Sequence, residues 1–295
     1  MLDQKQDFLS IVIVSYNSLK SIRFCLESIL TQKAQKFEII VVDNGSTDLT
    51  VDFIRNAYPE VKLVINKENL GACKARNQGI ELAKGEWILT LDSDTRLKDN
   101  FLKLALDILS ETEKEIGIVQ PKILNSDQNT IFSCGLKLTF FRKFYDIGKG
   151  SIVNPKFDKP SIIFGSCCAS SFYRREMLED IKEKWGYFDE RFFFLVEDVD
   201  VAWRAKRFGW KTLYRPDIVC FHEGNSSGTP KNIRQRLCFR NRFMMIEKNE
   251  GLAIYSLRIL PVLLYDMPRF LYLFIKNISL TEDLHKKYSR HQCCS

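Results

Sequence analysis

Four short apolar runs, each followed by polar residues, divide the first hundred residues of the chain. They are Phe8–Val14, Glu38–Val42, Val61–Ile65 and Trp87–Leu91. Runs of this length without polar alternation are typical of strands that are buried on both faces of a sheet. The segments between them carry apolar residues at helical spacing. Strands that alternate with helices predict an α/β fold with a doubly wound, mostly parallel central sheet flanked by helices.

The predicted helices begin near residues that commonly cap helices. Ser18 is expected to cap the first helix, and Ser46 or Thr47 a second helix over about Leu49–Ala57. A third helix is predicted over Ala72–Ala83. The apolar face of the first helix comprises Ile22, Cys25, Leu26, Ile29 and Leu30.

The pattern is less regular after residue 116. Short strands are predicted at Gly117–Gln120, Leu136–Thr139, Ser161–Phe164, Thr212–Tyr214 and Ile218–Phe221. The small-residue run Gly165–Ser171 precedes a helix that begins near Arg174. Further helices are predicted over Asp198–Phe208 and from Thr229-Pro230 to about Asn249.

Charge separates the chain into a neutral body and a basic tail. Residues 231–295 carry twelve Lys and Arg against five Asp and Glu, which accounts for the whole net charge of +7. A neutral body argues against a nucleic-acid groove across the fold, whereas a basic tail favours a surface partner. We therefore predict a domain over residues 1–230 and a helical tail over 231–295.

Within that tail, Leu252–Leu280 is strongly apolar, but Arg258, Asp266, Arg269 and two prolines interrupt it. Charges at the centre of a lipid bilayer are costly, so a transmembrane span is not predicted. One alternative is an interfacial segment on an anionic membrane, supported by the basic stretch Lys231–Lys248. The other is a homodimer interface or a packed helix pair. Residues 286–295 are expected to be frayed.

The cysteines and the N-terminus indicate a reducing compartment. The nine cysteines are an odd number and none forms a C-x-x-C pair. Met1–Asp7 is polar and acidic, which is atypical of a secretory leader. We expect reduced thiols and a cytoplasmic protein, either free or peripheral on the inner face of the cell membrane.

Polar residues follow three of the predicted strands, at the edge where ligands bind in open α/β sheets. They are Tyr16-Asn17, Asp43-Asn44 and Asp92-Ser93-Asp94. Two aspartates separated by one extended residue point to the same side. Such a pair suits a divalent cation that bridges the two phosphates of a nucleotide-sugar. The triplet alone is also compatible with a solvated loop that contains helix-capping aspartates.

Several motifs in a fixed order connect the chain to a known family. They are Ser10–Asn17, Val41–Asp48, Asn69–Asn77, Gly165-Ser166, Gly186–Glu190 and Glu197–Arg204. Together with the acidic triplet, over roughly residues 8–228, they resemble family 2 glycosyltransferases with the GT-A fold, and the rhamnosyltransferase-like branch is nearest. The resemblance implies a Rossmann-like GT-A domain with a C-terminal helical extension.

The resemblance also implies a nucleotide site. Tyr16 and Asp43 would contact the base, with Ser15 and Asn17 nearby, and Arg76 would lie near the nucleotide. An aromatic ring can stack on a base, and a carboxylate can accept a hydrogen bond from a pyrimidine N3–H. Ordinary structural roles compete with these, with Asp43 as a turn former and Arg76 as a helix-surface charge.

The implied cofactor is Mn²⁺ or Mg²⁺. By resemblance, Asp94 would bind the metal, Asp92 would face the metal or the ribose, and His222 would be a further ligand. Ser93 completes the triplet on the diphosphate. A neutral imidazole suits Mn²⁺ better than Mg²⁺. A loop histidine bonded to the backbone is the alternative for His222.

The expected catalytic group lies at a helix start. By resemblance, Asp198 is the general base that deprotonates the acceptor hydroxyl, with Glu197 beside it. Burial near the rings of Phe192–Phe194 is expected to raise the pKa of Asp198. Both carboxylates would also suit the positive end of a helix. Asp200 and Arg204, four residues apart, are predicted to form a structural pair.

Gly165, Ser166 and Trp185 resemble an acceptor-side wall, where small residues let a sugar ring approach and an aromatic ring can pack on it. Trp185 is equally compatible with a core position.

The resulting functional prediction is an inverting, metal-dependent glycosyltransferase. It would move a sugar from dTDP-rhamnose or a UDP-hexose to a hydroxyl of a saccharide or lipid-linked acceptor, in cell-surface polysaccharide synthesis. One alternative is a non-catalytic sugar-binding or scaffold protein of the same fold. The other is a nucleotidyltransferase, which would show a glycine-rich triphosphate loop where this chain has Ser15-Tyr16-Asn17.

Overall fold

The structure, a computed structural model, describes residues 9–33, 37–224, 228–257 and 259–276. Its contacts divide the chain into two compact units. The first contains residues up to 138 together with 144–245, and the second contains 139–143 together with the chain from 246 onward. The first unit thus includes residues 231–245 of the predicted tail. The expectations for Met1–Asp7 and for residues 286–295 lie outside the described residues.

Four parallel strands form one half of the large sheet of the first unit. They are β1 (Leu9–Ser15), β2 (Phe37–Asp43), β3 (Lys62–Ile65) and β4 (Trp87–Asp92). β1 pairs in parallel with both β2 and β4, and β2 pairs in parallel with β3. The apolar runs therefore predicted these strands to within one residue at nearly every end.

The other half of the sheet is mixed. The strands that follow β4 in the chain are β5 (Thr95–Leu97), β6 (Ile116–Asn125), β7 (Ile131–Ser133), β8 (Leu136–Leu138), β9 (Phe144–Asp146), β10 (Ser161–Ile163), β11 (Ser170–Arg174) and β12 (Lys211–His222). The sheet order is β10-β12-β6-β11-β4-β1-β2-β3, while β8 and β9 form a separate hairpin. β11 runs antiparallel to both of its neighbours, β4 and β6. The α/β class and the GT-A architecture are confirmed.

Several strands differ from the sequence prediction. β6 is longer than the predicted Gly117–Gln120, and β5, β7 and β9 were not predicted. The two short strands predicted at Thr212–Tyr214 and Ile218–Phe221 are one strand, β12, with an irregularity between Arg215 and Val219. β11 was predicted only as part of a small-residue run. Its residues Ser170 and Ser171 are fully buried in the sheet although they are polar, because the strand is paired on both sides and its Phe172 packs in the core.

The helices follow the predicted alternation. They are α1 (Ile22–Leu30), α2 (Thr50–Ala57), α3 (Ala72–Leu82), α4 (Phe101–Glu111), α5 (Arg175–Ile181), α6 (Glu197–Arg207), α7 (Lys231–Asn249), α8 (Leu252–Ser256), α9 (Ile259–Pro261) and α10 (Met267–Lys276). Sequence reasoning missed α4. A short π-helical turn, Val262–Asp266, precedes α10.

The predicted helix caps are wrong. α1 begins after Ser21, and the Ser18 hydroxyl bonds to Ser93 at 2.6 Å instead of capping the helix. α2 begins after Leu49, and the hydroxyl of Ser46 donates to Asp43. Leu30, expected on the apolar face of α1, is exposed. These serines are used by the loops at the edge of the sheet, which take precedence over capping.

The core of the first unit lies on the sheet. Ile11, Ile13, Leu89 and Leu91 are fully buried on β1 and β4, and the apolar face of α1 packs in the same cluster. Burial of this kind stabilises a fold by about 25 cal/mol per Å² of apolar surface. The packing fixes the strands and leaves the loops at their carboxyl ends to carry function.

The second unit exposes many apolar side chains, and two of its carboxylates have partners within the unit. Tyr255 donates to the buried carboxylate of Asp266, and Arg142 makes a two-pronged ion pair with Glu250 at 2.6 and 2.8 Å. Large apolar side chains such as Leu263 and Leu264 are more than half exposed. Among the described residues, no helix combines the length and apolarity that crossing a membrane needs.

The cysteines in the described part of the chain form no disulfide with one another, and all of them except Cys238 are buried. Cys293 and Cys294 lie outside the described residues.

Candidate functional site

The parallel strands bring the predicted polar residues to one edge of the sheet. In the register of the sheet, Ser15 lies beside Asp43, and Val14 lies beside Asp92. A cavity of about 870 Å³ opens at this edge. Eight of the predicted site residues line it: Tyr16, Arg76, Asp92, Ser93, Asp94, Glu197, Asp198 and His222. Residues more than 200 positions apart in the chain therefore share one cavity.

A carboxylate–imidazole cluster forms one wall of this cavity. β5 pairs antiparallel with β12 and sets His222 opposite Thr95, directly after the acidic triplet. His222 Nε2 lies 3.0 Å from a carboxylate oxygen of Asp94 and 3.6 Å from one of Asp92. The three side chains offer ligand atoms that all lie within 4.8 Å of one another.

The cluster fits a divalent metal ion. Asp94 Oδ2 and His222 Nδ1 are buried and have no hydrogen-bond partner within the described part of the chain. Buried polar atoms normally have partners, so an unpaired carboxylate oxygen that faces a cavity is suited to binding a cation. Two carboxylates with one imidazole are a donor set that Mn²⁺ accepts readily.

The charges of the cluster are strongly coupled. Burial acts to lower the pKa of His222, but hydrogen bonds to Asp92 and Asp94 outweigh it and raise the pKa to about 9. For Asp92, burial acts to raise the pKa, while the neighbouring Arg76 and His222 lower it below its ordinary value. Asp92 is therefore held ionised, as a metal or hydroxyl ligand needs.

Arg76 connects the acidic cluster to the start of α6. Its guanidinium donates to Asp92 and to Glu197, each at 2.8 Å, and only 4% of its side chain is exposed. The alternative of a helix-surface charge is therefore wrong. Since Glu197 is engaged by this ion pair and buried, it is placed to fix the orientation of its neighbours.

Asp198 faces the same cavity without a cationic partner at hydrogen-bond distance among the described residues. Burial, followed by the charges of Glu197 and Asp146, raises its pKa to about 8. One of its oxygens accepts from the backbone N–H of Val199 at 2.8 Å. A partly buried carboxyl with a raised pKa beside a ligand cavity is suited to accept a proton.

The loop that leads to Asp198 is strained. Phe193, Leu195 and Val196 have φ angles of 66°, 68° and 76°. Each such conformation costs a non-glycine residue about 1–3 kcal/mol, and β-branched Val196 is the least suited to it. Gly71, at the start of α3, lets this loop approach, because a Cβ there would lie 2.7 Å from the Phe193 carbonyl oxygen.

Three of the predicted nucleotide-site residues do not line the cavity. Ser15 and Asp43 are fully buried, and both carboxylate oxygens of Asp43 accept from Ser46. Asn17 accepts from the backbone of Thr47 at 2.8 Å. These hydrogen bonds fix the loops that follow β1 and β2. The contacts of the three residues with a nucleotide base stay predictions.

The structure does not bring the three predicted acceptor residues into the cavity. Gly165 packs on Ala202, where a Cβ would approach the Ala202 side chain to 2.3 Å, and buried Ser166 bonds to Tyr173. The Trp185 ring lies under Lys184 and Arg191, 40% exposed. Cys167 and Cys168, which follow Ser166, line the cavity instead.

Sequence reasoning missed other residues of the cavity wall. Asn44 and Asn69 line it and are hydrogen-bonded to each other at 2.9 Å. Asp146 and Lys149 line it from the end of β9 and the residues after it, and Arg234 lines it from α7. Asn44 and Asn69 lie within the motifs Val41–Asp48 and Asn69–Asn77, so the sequence did contain a signal for these two site residues. Asp146 and Lys149 lie in a segment without a recognisable pattern, and Arg234 is one of several basic residues of a predicted helix.

Comparison with known proteins matches the chain to one family. The family model for glycosyl transferase family 2 matches residues 10–182. The uncharacterized glycosyltransferase YibD of Escherichia coli is 33% identical over 112 residues, which are 37% of this chain and 32% of YibD. The N-acetylglucosaminyl-diphospho-decaprenol L-rhamnosyltransferase of Mycobacterium tuberculosis is 26% identical over 252 residues, 75% of this chain and 78% of that protein.

A solved structure gives the same architecture. The mannosyltransferase PcManGT from Pyrobaculum calidifontis, in complex with GDP-Man and Mn²⁺, superposes with a TM-score of 0.58. The match covers 92% of this chain and 75% of that one at 18% identity, so the likeness is one of fold. The chain spans about a third of the length of the E. coli relative.

Proposed function

This chain belongs to glycosyl transferase family 2, and we propose that it is an inverting, metal-dependent glycosyltransferase of cell-surface polysaccharide synthesis. The observation that carries the proposal is the pairing, in one cavity, of the Asp92–Asp94–His222 cluster with the partly buried carboxyl of Asp198. A scaffold protein of the same fold would need neither group.

The donor is a nucleotide-diphosphate sugar whose diphosphate binds at the acidic cluster. Asp94 and His222 would hold Mn²⁺ or Mg²⁺, and Asp92 would be a further ligand or a partner of the ribose. When bound, the cation neutralises the charge that grows on the leaving diphosphate. Ser93 is held by Ser18 beside this point. Tyr16 lines the same cavity, which supports a role in stacking its ring on the base.

Asp198 is the general base. Its carboxylate takes the proton of the acceptor hydroxyl while the hydroxyl oxygen attacks the anomeric carbon from the face opposite the diphosphate. The C1–O bond to the diphosphate breaks, the new glycosidic bond forms, and the configuration inverts. Glu197 acts through Arg76. Because Arg76 pairs with both Glu197 and Asp92, these ion pairs fix the position of the general base relative to the metal ligands.

The finer specificity is proposed from the relatives. The mycobacterial relative is an N-acetylglucosaminyl-diphospho-decaprenol L-rhamnosyltransferase, which supports rhamnose as the transferred sugar and a lipid-linked acceptor. The donor would then be dTDP-rhamnose. A UDP-hexose donor and a saccharide acceptor remain the alternatives. Gly165, Ser166 and Trp185 remain predictions for the acceptor side.

We also propose that the second unit binds the surface of an anionic membrane and places the enzyme on its cytoplasmic face. Support comes from the exposed apolar side chains of its helices and from the internal pairing of Asp266 with Tyr255 and of Arg269 with Tyr265. A second copy of the chain is the alternative partner.

The test is product analysis with a panel of nucleotide-sugars in Mn²⁺, in Mg²⁺ and in EDTA. We expect hydrolysis or transfer with one donor, lost in EDTA, and a product with inverted anomeric configuration by NMR. Absence of both reactions with every donor would favour the scaffold alternative. Pyrophosphate release from a nucleoside triphosphate and a sugar phosphate would identify a nucleotidyltransferase.

A further inference from the structure

One buried side chain of α7 holds the strained loop that carries the proposed base. Asn241 is fully buried, and its amide nitrogen lies within hydrogen-bond distance of three of the four backbone carbonyls of residues 192–195. The distances are 2.9 Å to Phe192, 2.9 Å to Phe194 and 2.7 Å to Leu195. The carbonyls of a loop converge on one donor in this way only when the backbone is turned sharply, as the positive φ angles of this loop require.

The amide of Asn241 is itself held in one orientation. Arg240 Nε donates to the side-chain amide oxygen of Asn241, Oδ1, at 2.9 Å. This hydrogen bond directs the amide nitrogen toward the loop. Arg240 also donates to the carbonyls of Arg191 and Phe192. The Phe193 carbonyl of the same loop accepts from Cys73 N–H at 3.2 Å. Asn241 thus contributes a buried side-chain donor to the carbonyls of Phe194 and Leu195 in this loop.

We propose that Asn241 is a positioning residue for catalysis, which keeps loop 193–196 in its strained conformation and thereby fixes Asp198 in the cavity. The inference rests on the proposed function of Asp198. Asn241 does not line the cavity, so it acts through the backbone and never touches the substrate. A relaxed loop would unwind the start of α6, where Val196 accepts from Asp200 N–H. The carboxyl of Asp198 would then move into water.

The amide chemistry of Asn241 makes the proposal specific. An amide nitrogen supplies two N–H donors, whereas an ionised carboxylate of the same shape only accepts. Asn241→Asp therefore turns attraction to three carbonyls into repulsion without a change of volume. Asn241→Ala removes the donors and keeps the helix, which gives a second variant in case the first fails to fold.

Asn77→Ala is the matched control. Asn77 is also buried, and its amide donates to the backbone carbonyl of Phe188 at 2.8 Å and to the carboxylate of Glu190 at 3.2 Å. It does not line the cavity, and within the described chain it makes no hydrogen bond to residues 193–196. Its loss should lower the thermal midpoint about as much as the loss of Asn241. A merely structural role for Asn241 would make the two variants indistinguishable in every other measurement.

Two measurements on the full chain do not depend on activity. Hydrogen–deuterium exchange should rise at least tenfold across residues 193–198 in both Asn241 variants and not in Asn77→Ala. The Asp198 carboxyl, followed by ¹³C NMR as the difference from Asp198→Asn, should titrate at least one pH unit lower when Asn241 is replaced. Unchanged exchange together with an unchanged titration would overturn the proposal.

Kinetics with the donor found in the panel then separate the two proposals. The Asn241 variants should lose at least tenfold in kcat with KM for the donor within twofold, and the acid limb of the pH profile should move with the Asp198 titration. If no donor reacts, the proposed function fails while exchange and titration still decide the role of Asn241. Normal kcat in a variant whose loop exchanges freely would overturn the catalytic role.

Discussion

At the scale of single residues, Asp198 combines burial with access to the cavity. Replacement by asparagine keeps the volume and removes the proton acceptor. We expect Asp198→Asn to lower kcat by about a hundredfold to ten-thousandfold, the usual contribution of a general base. The affinity for the nucleoside diphosphate and metal should stay within twofold, as measured by calorimetry. A variant that keeps near wild-type turnover would remove Asp198 from this role.

The raised pKa of Asp198 predicts two opposite pH effects. The carboxylate is the active form, so kcat should rise about tenfold per pH unit below pH 8 and level off above it. Stability should move the other way, because the folded state binds this proton more tightly than the unfolded chain does. The contribution of Asp198 to stability is present below its unfolded pKa and is lost as the pH rises to about 8. Asp198→Asn should therefore gain thermal stability over the wild type as the pH increases, whereas a constant difference would contradict the shift.

The metal cluster makes a separate prediction. Asp94→Asn and His222→Ala each remove one ligand, and we expect Mn²⁺ affinity to fall at least about tenfold, since even indirect disturbance of a metal site costs that much. Titration of Mn²⁺ by electron paramagnetic resonance measures it. Asp107→Asn, an exposed aspartate on α4, is the control. Wild-type affinity in Asp94→Asn would exclude this cluster as the metal site.

Arg76 illustrates how a residue changes meaning between sequence and structure. In the sequence it is one basic residue of α3, equally suited to solvent. In the structure it is buried between Asp92 and Glu197. No local pattern encodes this, because the two carboxylates come from β4 and from the start of α6.

At the scale of elements, α6 is fixed by a buried ion pair. Asp200 and Arg204 lie four residues apart on the helix, as predicted, and contact each other at 2.9 Å. Arg204 also donates to the carbonyls of Ile181 and Tyr187. The pair therefore attaches α6 to the end of α5 and to the segment before the strained loop.

Breaking this pair should cost far more than breaking an exposed one. Asp200→Ala leaves a buried guanidinium without its carboxylate, and we expect a loss of about 3–5 kcal/mol in the free energy of unfolding. Urea denaturation measures it. Glu27→Ala removes the same i,i+4 partner from Arg23 at the surface and should leave the midpoint unchanged. Equal effects in the two variants would show that burial of the α6 pair contributes nothing.

At the scale of the whole molecule, the exposed apolar side chains of the second unit predict that it associates with a membrane surface. Leu263 and Leu264 are 52% and 67% exposed on its π-helical turn. We expect the full chain to float with vesicles that contain phosphatidylglycerol and to lose at least half of this binding after Leu263→Gln and Leu264→Gln. The matched change of Leu82 and Leu104, exposed on the first unit, should have no effect. Absence of flotation together with a dimer in sedimentation equilibrium would favour the second copy.

The sequence by itself determined the parallel strands, the helices between them and the family. These depend on local patterns, namely continuous apolar runs, helical spacing and polar motifs at strand ends, and each can be recognised within about ten residues. It also identified Asp92, Asp94, Asp198 and His222 as candidates, because the family resemblance assigns roles to these positions.

The tertiary structure decided which of the site residues are neighbours. Pairing of β5 with β12 joins His222 to the acidic triplet, Arg76 joins the triplet to α6, and Asn241 reaches the loop before Asp198. These contacts follow from strand order and packing, which no local pattern records, and the same packing leaves Trp185 at the surface.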